Sequence, residues 1–211
     1  MSNSLESINL DFKKSFHSVF QKPELIQSFL TKRSNKFDAI IKKEFIRREL
    51  ETDFALVALG GYGRKELFPS SDIDLSIIQF NAKTKKIEDI KDFIGWLWTL
   101  KGKVGHSVRT FKDIEKITKS DLKEFTSYLS YRIIFCKKNK LASLESNLKK
   151  ISKKWNSSKF FKAKRLEQYN RFQSFDSTEF SLEPDLKESP GCLRDFQTAL
   201  WILEHCFEVK N

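Results

Sequence analysis

The sequence predicts an α+β protein in which a few short strands lie among many helices. A continuous apolar run, Phe54 to Leu59, stops abruptly at two glycines, and a second run extends from Ile73 to Phe80. Runs of this length, bounded by glycine or by proline and serine, are typical of buried strands. Elsewhere the apolar residues recur at intervals of three and four, which indicates amphipathic helices.

The first half of the chain is predicted in this order. Residues 1–50 form a helical N-terminal segment, because positions such as Phe37 and Ile41 recur at helical spacing between charges. After the first strand, residues 63–67 open with a glycine and are long enough for about two helical turns. A helix over 87–98 is expected to pack on a sheet, because its isoleucines and leucine share one stripe.

The second half is predicted to be almost entirely helical. Alternation over 103–110 indicates a third, shorter strand, and no strand is expected after Phe111. Residues 111–172 have a helical pattern, and 174–192 form a polar connection that contains prolines. In the last helix we expect one buried apolar stripe, formed by Leu193, Phe196, Leu200, Leu203 and Phe207.

Composition restricts the class of protein. The 211 residues contain no apolar run long enough for a membrane span, and the N-terminus lacks the order of a secretory signal, so we expect a cytoplasmic protein without a membrane partner. Three cysteines without paired spacing predict neither disulfides nor a zinc site. The net charge of +11 is compatible with polyanion binding. Lysines spread over solvated helices give the same charge, so a nucleic-acid partner is not favoured, and nucleic-acid binding is kept as a third hypothesis that rests on the charge alone.

The segment GGYGRKELFPSSDIDL, residues 60–75, combines two features of phosphate chemistry. Gly60 and Gly61 at the end of a strand let the backbone come close to a phosphate, and a helix that follows adds N–H donors. Asp72 and Asp74 are two apart at the start of the next strand, so both carboxylates are expected on the same side. Such carboxylates repel each other unless they share a cation, and at phosphoryl-transfer sites that cation is usually Mg²⁺.

Each feature alone also has an ordinary structural explanation. An isolated Asp-x-Asp pair is usually a solvated strand face, and Gly-Gly-x-Gly is more often a simple turn. The segment is neither a P-loop nor a dinucleotide-binding fingerprint, because the required lysine and glycine spacings are missing. The two features in this order, with Ser71 before Asp72 and apolar strands on both sides, predict a metal-bound nucleotide site.

This segment resembles the signature of the nucleotidyltransferase domain of bacterial PII uridylyltransferases, which are members of the DNA polymerase β-like superfamily. Three further stretches are similar in the same order: VGHSVRT at 104–110, the helix with Lys164, Gln168 and Arg171, and LEPDLKESPGCLRDFQTALWI at 182–202. The resemblance covers residues 54–207. It implies a small mixed β-sheet with flanking helices, with a helical lead-in over 1–50, a nucleotidyltransferase core over 51–118 and a helical domain over 119–211.

The resemblance also implies a reaction. UMP would pass from UTP to a hydroxyl of a small acceptor protein, such as a tyrosine of a PII-type nitrogen-signalling protein, with Mg²⁺ or Mn²⁺ as cofactor. Asp72 and Asp74 match the family's catalytic metal ligands. The matching nucleotide-binding residues are Gly60, Gly61, Arg64, Ser71, Lys164 and Arg194. For Arg64, a solvent-exposed helix face is the alternative role.

Three departures from the family pattern leave a second hypothesis open. The strand over 103–110 carries no third carboxylate, so either Glu183 or Asp185 completes the metal site or one metal binds weakly. Cys192 stands where the family has glycine. None of the three histidines is followed by Asp, so the family's hydrolytic activity is expected to be absent from this chain. The alternative is a catalytically weak regulatory module that binds nucleotide or partner without turnover.

Overall fold

The fold of the chain is described by a computed structural model for residues 12, 14–16, 19, 21–68, 70–81, 83–100, 103–175 and 185–207. The strands are β1 (Phe54–Ala58), β2 (Ile73–Gln79), β3 (Val104–Thr110) and β4 (Arg132–Phe135). The helices are α1 (Pro23–Arg47), α2 (Gly60–Gly63), α3 (Ile87–Thr99), α4 (Phe111–Ser120), α5 (Leu122–Leu129), α6 (Lys138–Ser152), α7 (Ser157–Ser174) and α8 (Leu193–Phe207), with a 3₁₀ turn at Leu50–Thr52. The predicted α+β class with a small mixed sheet is confirmed.

The chain divides into two compact units. The first lies within residues 1–115 and 130–147 and contains the sheet. The second lies within residues 116–129 and 148–211, and its described elements are helices. Among the helices described, none combines the length and the apolar character that crossing a bilayer requires.

The sheet has the strand order β3-β2-β1-β4. β1 pairs antiparallel with both β2 and β4, whereas β2 and β3 are parallel. A parallel pair needs a crossover, and α3 provides it between β2 and β3. All five residues of β1 are buried, which explains why this strand reads as a continuous apolar run.

The prediction that no strand follows Phe111 is wrong, because β4 pairs with β1 along the edge of the sheet. This strand has only four residues, Arg132 to Phe135, and lies between two helices. A short apolar run cannot be assigned to strand or helix by periodicity alone. The prediction that β3 is shorter than the others is also wrong, because β3 and β2 have seven residues each.

The core of the first unit lies between the sheet and the two helices α1 and α3. Phe45 of α1 and Phe93 of α3 are completely buried, with their ring centroids 5.5 Å apart in an edge-on arrangement. These rings belong to one cluster with Phe54, Leu56 and Ile77 of the two central strands. Burial of this apolar stripe confirms the helices predicted over these parts of the chain.

The predicted helix over 63–67 is wrong in extent and position. The helical turn is α2, which begins at Gly60 and ends at Gly63. Lys65 has a left-handed backbone conformation with a φ of 62°, and a right-handed α-helix cannot extend through such a residue. The next carbonyl groups, of Leu67 and Phe68, accept hydrogen bonds from Arg33 of α1 instead of from a following turn of helix.

The second unit has its own core around Phe125, Phe160 and Trp201. Helix α8 was expected to bury its stripe from Leu193 to Phe207, and this prediction is wrong, because Phe196 is 63% exposed and Phe207 69% exposed. The helix packs through a different face, on which Thr198 and Trp201 are buried. Trp201 has a large apolar ring, which also contacts Lys164 of α7. The face of α8 that carries this ring is therefore favoured for packing.

Candidate functional site

The predicted residues of the first unit lie in one connection between two paired strands. Gly60 and Gly61 follow β1 after one residue, Leu59, and Asp72 directly precedes β2. Asp74 is the second residue of β2, and its carbonyl accepts a hydrogen bond of 3.0 Å from the backbone N–H of Leu59. Both aspartates are exposed. The glycine turn and Asp74 therefore lie close together, where β1 ends and β2 begins.

The carboxylate of Asp74 lies between two glycines. A Cβ atom at position 60 would be 3.6 Å from Oδ2, and a Cβ atom at position 105 would be 2.6 Å from Oδ1. Gly105 is the partner of Asp74 in the parallel pair of β2 and β3. Gly60 also has a φ of 56°, a conformation that favours glycine. Glycine at these two positions leaves the space in which the Asp74 carboxylate lies.

The side chain of Arg64 lies beside the second glycine of the turn. Its Nη2 atom is 3.9 Å from the place of a Cβ atom at Gly61. Nε donates to Glu66 at 2.8 Å, and Nη1 donates to the Ser130 hydroxyl at 3.3 Å. These contacts give the guanidinium a defined position next to the turn.

Ser71 has a structural role that the sequence did not indicate. Its hydroxyl accepts a hydrogen bond of 3.1 Å from the backbone N–H of Phe68, and its own N–H donates to the carbonyl of Phe68 at 3.0 Å. These bonds close the loop that leads into Asp72 and β2. The proposed contact of Ser71 with nucleotide stays a prediction.

The second unit holds two more of the predicted nucleotide-binding residues. Lys164 of α7 is 2% exposed, and its Nζ lies 2.8 Å from Glu167 and 4.6 Å from the ring centroid of Trp201. Burial lowers the pKa of this ammonium, and the hydrogen bond that it donates to Glu167 opposes that effect. Arg194 of α8 forms a 2.8 Å ion pair with Glu188. Both cations therefore have acidic partners within their own unit.

Asp185, the predicted third carboxylate, is exposed and stabilises a turn. Its Oδ1 accepts hydrogen bonds from the backbone N–H groups of Lys187 and Glu188, at 2.8 and 3.0 Å. These two bonds, the one from Glu188 first, lower the pKa of the Asp185 carboxyl. Its role as a metal ligand stays a prediction, and Glu183, the other acid considered, lies outside the described residues.

Sequence reasoning missed three side chains that hold the glycine turn or its loop. Arg132 of β4 donates to the carbonyls of Tyr62 and Gly63, Asp38 of α1 pairs with Arg132, and Arg33 binds the loop further along. Asp38 and Arg132 are 94 residues apart in the chain, and no local pattern connects them. In the sequence, Arg132 stands beside a short apolar stretch, and such an isolated arginine is only a weak indication of a buried role.

The carboxylates at the start of β2 are ligands that suit a hard divalent cation. Carboxylate oxygens, together with water and phosphate oxygens, are the ligands that Mg²⁺ prefers, and Asp72 and Asp74 offer such oxygens. β3 adds no acid beside Asp74, because it presents Gly105 there. Within the described ranges, no three side chains of His, Cys, Asp or Glu form a cluster placed to hold a metal ion.

We expect Gly105→Ala to disturb the site without unfolding the chain. The added methyl would approach Asp74 Oδ1 to 2.6 Å, and the end of this exposed side chain is able to move away. The free energy of unfolding should therefore change by less than about 0.5 kcal/mol. The rise in melting temperature caused by Mn²⁺ should shrink, because the carboxylate has left its place. Gly95→Ala, where a methyl meets nothing within 4 Å, is the control; an undiminished Mn²⁺ effect in the Gly105 variant would contradict the prediction.

Comparison with known proteins supports the resemblance seen in the sequence. Residues 159–211 match the family described as GlnD PII-uridylyltransferase. A bifunctional uridylyltransferase/uridylyl-removing enzyme of Hydrogenovibrio crunogenus is 37% identical over 204 residues, which are 95% of this chain and 23% of that protein. Proteins of the same name from Pseudoalteromonas translucida and Cupriavidus metallidurans are each 35% identical, over 95% and 91% of this chain and 23% and 22% of their own lengths.

The chain thus spans about a quarter of the length of these relatives. The similarity extends over both units, including the segment with Gly60, Gly61, Asp72 and Asp74. Over 95% of its length the chain is similar to a bifunctional uridylyltransferase/uridylyl-removing enzyme, and over residues 159–211 it matches the PII-uridylyltransferase family.

Proposed function

We propose that this chain carries a metal-dependent nucleotidyltransferase site that moves UMP from UTP onto a hydroxyl of a PII-type signalling protein. The observation that carries the proposal is the Asp74 carboxylate between Gly60 and Gly105, beside a glycine turn. The names of the similar proteins support the nucleotide class and the acceptor. A nucleoside triphosphate substrate and a signalling acceptor suit the cytoplasm.

In this proposal the residues of the first unit divide the work of binding a triphosphate. The backbone at Gly60 and Gly61 has no side chain to exclude phosphate oxygens, so the chain can come close to them. Arg64, whose guanidinium lies beside Gly61, adds positive charge next to the phosphates. Asp72 and Asp74 would hold Mg²⁺, which supplies charge neutralisation at the phosphate oxygens when it is bound.

The reaction is an in-line displacement at the α-phosphorus. The hydroxyl oxygen of the acceptor loses its proton to solvent and forms a new bond to the α-phosphorus. The bond from that phosphorus to the bridging oxygen breaks, and pyrophosphate leaves. The contribution of the chain is to hold the triphosphate so that the leaving group lies opposite the attacking oxygen. Lys164 and Arg194 are assigned to nucleotide binding in this proposal by the family resemblance, although in the structure each has an acidic partner.

The test is transfer from each of the four ribonucleoside triphosphates, labelled at the α-phosphate. The chain is incubated with Mg²⁺, one triphosphate and a PII-type protein, and we expect label on the acceptor from UTP with release of pyrophosphate. The other three triphosphates are the matched controls. Mg²⁺-dependent binding of UTP without any transfer would favour the regulatory module instead. Absence of both binding and transfer would contradict a nucleotide site altogether.

A further inference from the structure

The loop that carries the glycine turn is held by two arginines from outside it. Arg132 of β4 donates from Nε to the carbonyl of Gly63 at 3.1 Å and from Nη2 to the carbonyl of Tyr62 at 3.2 Å. Arg33 of α1 donates to the carbonyl of Leu67 at 2.8 Å and also to that of Phe68. Carbonyls at the end of a helical turn have no partner within the helix, so an arginine that binds them stabilises that conformation.

Both arginines depend on helix α1. Arg33 belongs to the helix, is 5% exposed and lies over the ring of Phe37. Burial lowers its pKa to about 10, so it remains a cation at neutral pH. Arg132 is connected to the helix through Asp38, with Nη1 and Nη2 donating to the two carboxylate oxygens at 2.5 and 3.2 Å. The helix therefore holds both ends of the loop.

The hydroxyl of Tyr62 adds a third connection to the same carboxylate. It donates to Asp38 Oδ1 at 2.6 Å, and the side chain of Tyr62 is completely buried. Burial, reinforced by the negative charge of Asp38, raises the pKa of this phenol, so it stays protonated and remains a donor. Arg132 and Asp38 are themselves only about a fifth exposed, at 21% and 18% of their side chains.

The shape of the guanidinium matters for this arrangement. Three nitrogens of Arg132 donate four hydrogen bonds to Asp38, Tyr62 and Gly63, whereas the lysine ammonium has three N–H donors on a single nitrogen. The glycine turn is connected to Asp74 by two backbone hydrogen bonds. The N–H of Gly63 donates to the carbonyl of Leu59, and the N–H of Leu59 donates to the carbonyl of Asp74. A continuous series of hydrogen bonds therefore leads from α1 to Asp74.

We propose that Asp38 and Arg132 are positioning residues of the nucleotide site: they hold the glycine turn, and through it Asp74, in the geometry that binds a triphosphate. This inference rests on the proposed function. Neither side chain needs to touch the nucleotide, since both act on the backbone of the turn. Displacing that backbone by about 1 Å would be enough to lower activity up to 100-fold.

The test compares Arg132→Lys and Asp38→Asn with Glu44→Gln. Glu44 lies on the same helix with a side chain 7% exposed, and its ion-pair partners are Arg47 and Arg48. Amide hydrogen exchange of residues 61–68 is measured together with the affinity for UTP in the presence of Mg²⁺. We expect faster exchange in these amides and about tenfold weaker UTP binding in the first two variants only. The melting temperature should fall in all three.

The two readouts distinguish the possible failures. If Arg132→Lys exchanges its 61–68 amides and binds UTP as Glu44→Gln does, the positioning role is contradicted, whatever the change in melting temperature. If the parent chain binds no triphosphate, the proposed function fails, and the exchange of the turn amides still decides whether Arg132 orders the turn. Arg132→Lys keeps the positive charge, so we expect it to destabilise the first unit less than Arg132→Ala would.

Discussion

Replacing Asp74 with Asn is expected to lower nucleotidyl transfer by about 10³-fold or more, because the charge that holds a divalent cation against the triphosphate is lost. The shape of the side chain is unchanged, and its place between Gly60 and Gly105 still accommodates it. Asp74 is exposed at the end of a strand, so the free energy of unfolding should change by no more than about 0.5 kcal/mol. Transfer of labelled UMP and chemical denaturation measure the two effects separately.

A second measurement does not depend on turnover. Mg²⁺ or Mn²⁺ should raise the melting temperature of the parent chain, because an ion that binds only the folded state stabilises it. Asp74→Asn and Asp72→Asn should show little of this rise. Asp92→Asn is the matched control, since Asp92 is also exposed in the first unit, on α3. Full transfer in Asp74→Asn, or an equal metal effect in all four proteins, would contradict a metal site at Asp72 and Asp74.

The parts of the fold that sequence predicted best are those in which local pattern and burial agree. β1 is a continuous apolar run because both faces of this central strand are covered, and β2 is buried except at its polar residues Asp74 and Gln79. β4 was missed because four residues between helices carry no periodicity of their own. Its place in the sheet depends on pairing with β1, which lies more than seventy residues earlier in the chain.

The candidate site shows the same division between local and distant information. Asp72 and Asp74 were selected by their spacing and by the glycines before them, all within sixteen residues. The contact of Asp74 with Gly105 depends on the parallel register of β2 and β3, and the support from Asp38 and Arg132 depends on a tertiary contact. Helix α8 was predicted correctly as an element, whereas the face that it buries follows from its neighbours in the second unit, chiefly Phe160 and Lys164.

Gly63→Ala is expected to lower the free energy of unfolding of the first unit by about 3 kcal/mol, a large part of the stability of an ordinary domain. A Cβ atom at this position would lie 2.0 Å from the carbonyl oxygen of Ser130 and 3.1 Å from that of Ala58. Both obstacles are backbone atoms, so relief requires that the turn before β4 or the end of β1 moves. Urea denaturation followed by tryptophan fluorescence measures the loss.

Helix propensity alone predicts the opposite sign, which makes the comparison with a second glycine informative. Gly95 of α3 is exposed, and a methyl there meets nothing within 4 Å, so Gly95→Ala should stabilise the chain by about 1 kcal/mol. Gly63 also lies in a helical turn and would gain from alanine if the contact with Ser130 were loose. Equal stabilisation by both substitutions would therefore show that α2 and the turn before β4 do not approach each other as closely as 2.0 Å implies.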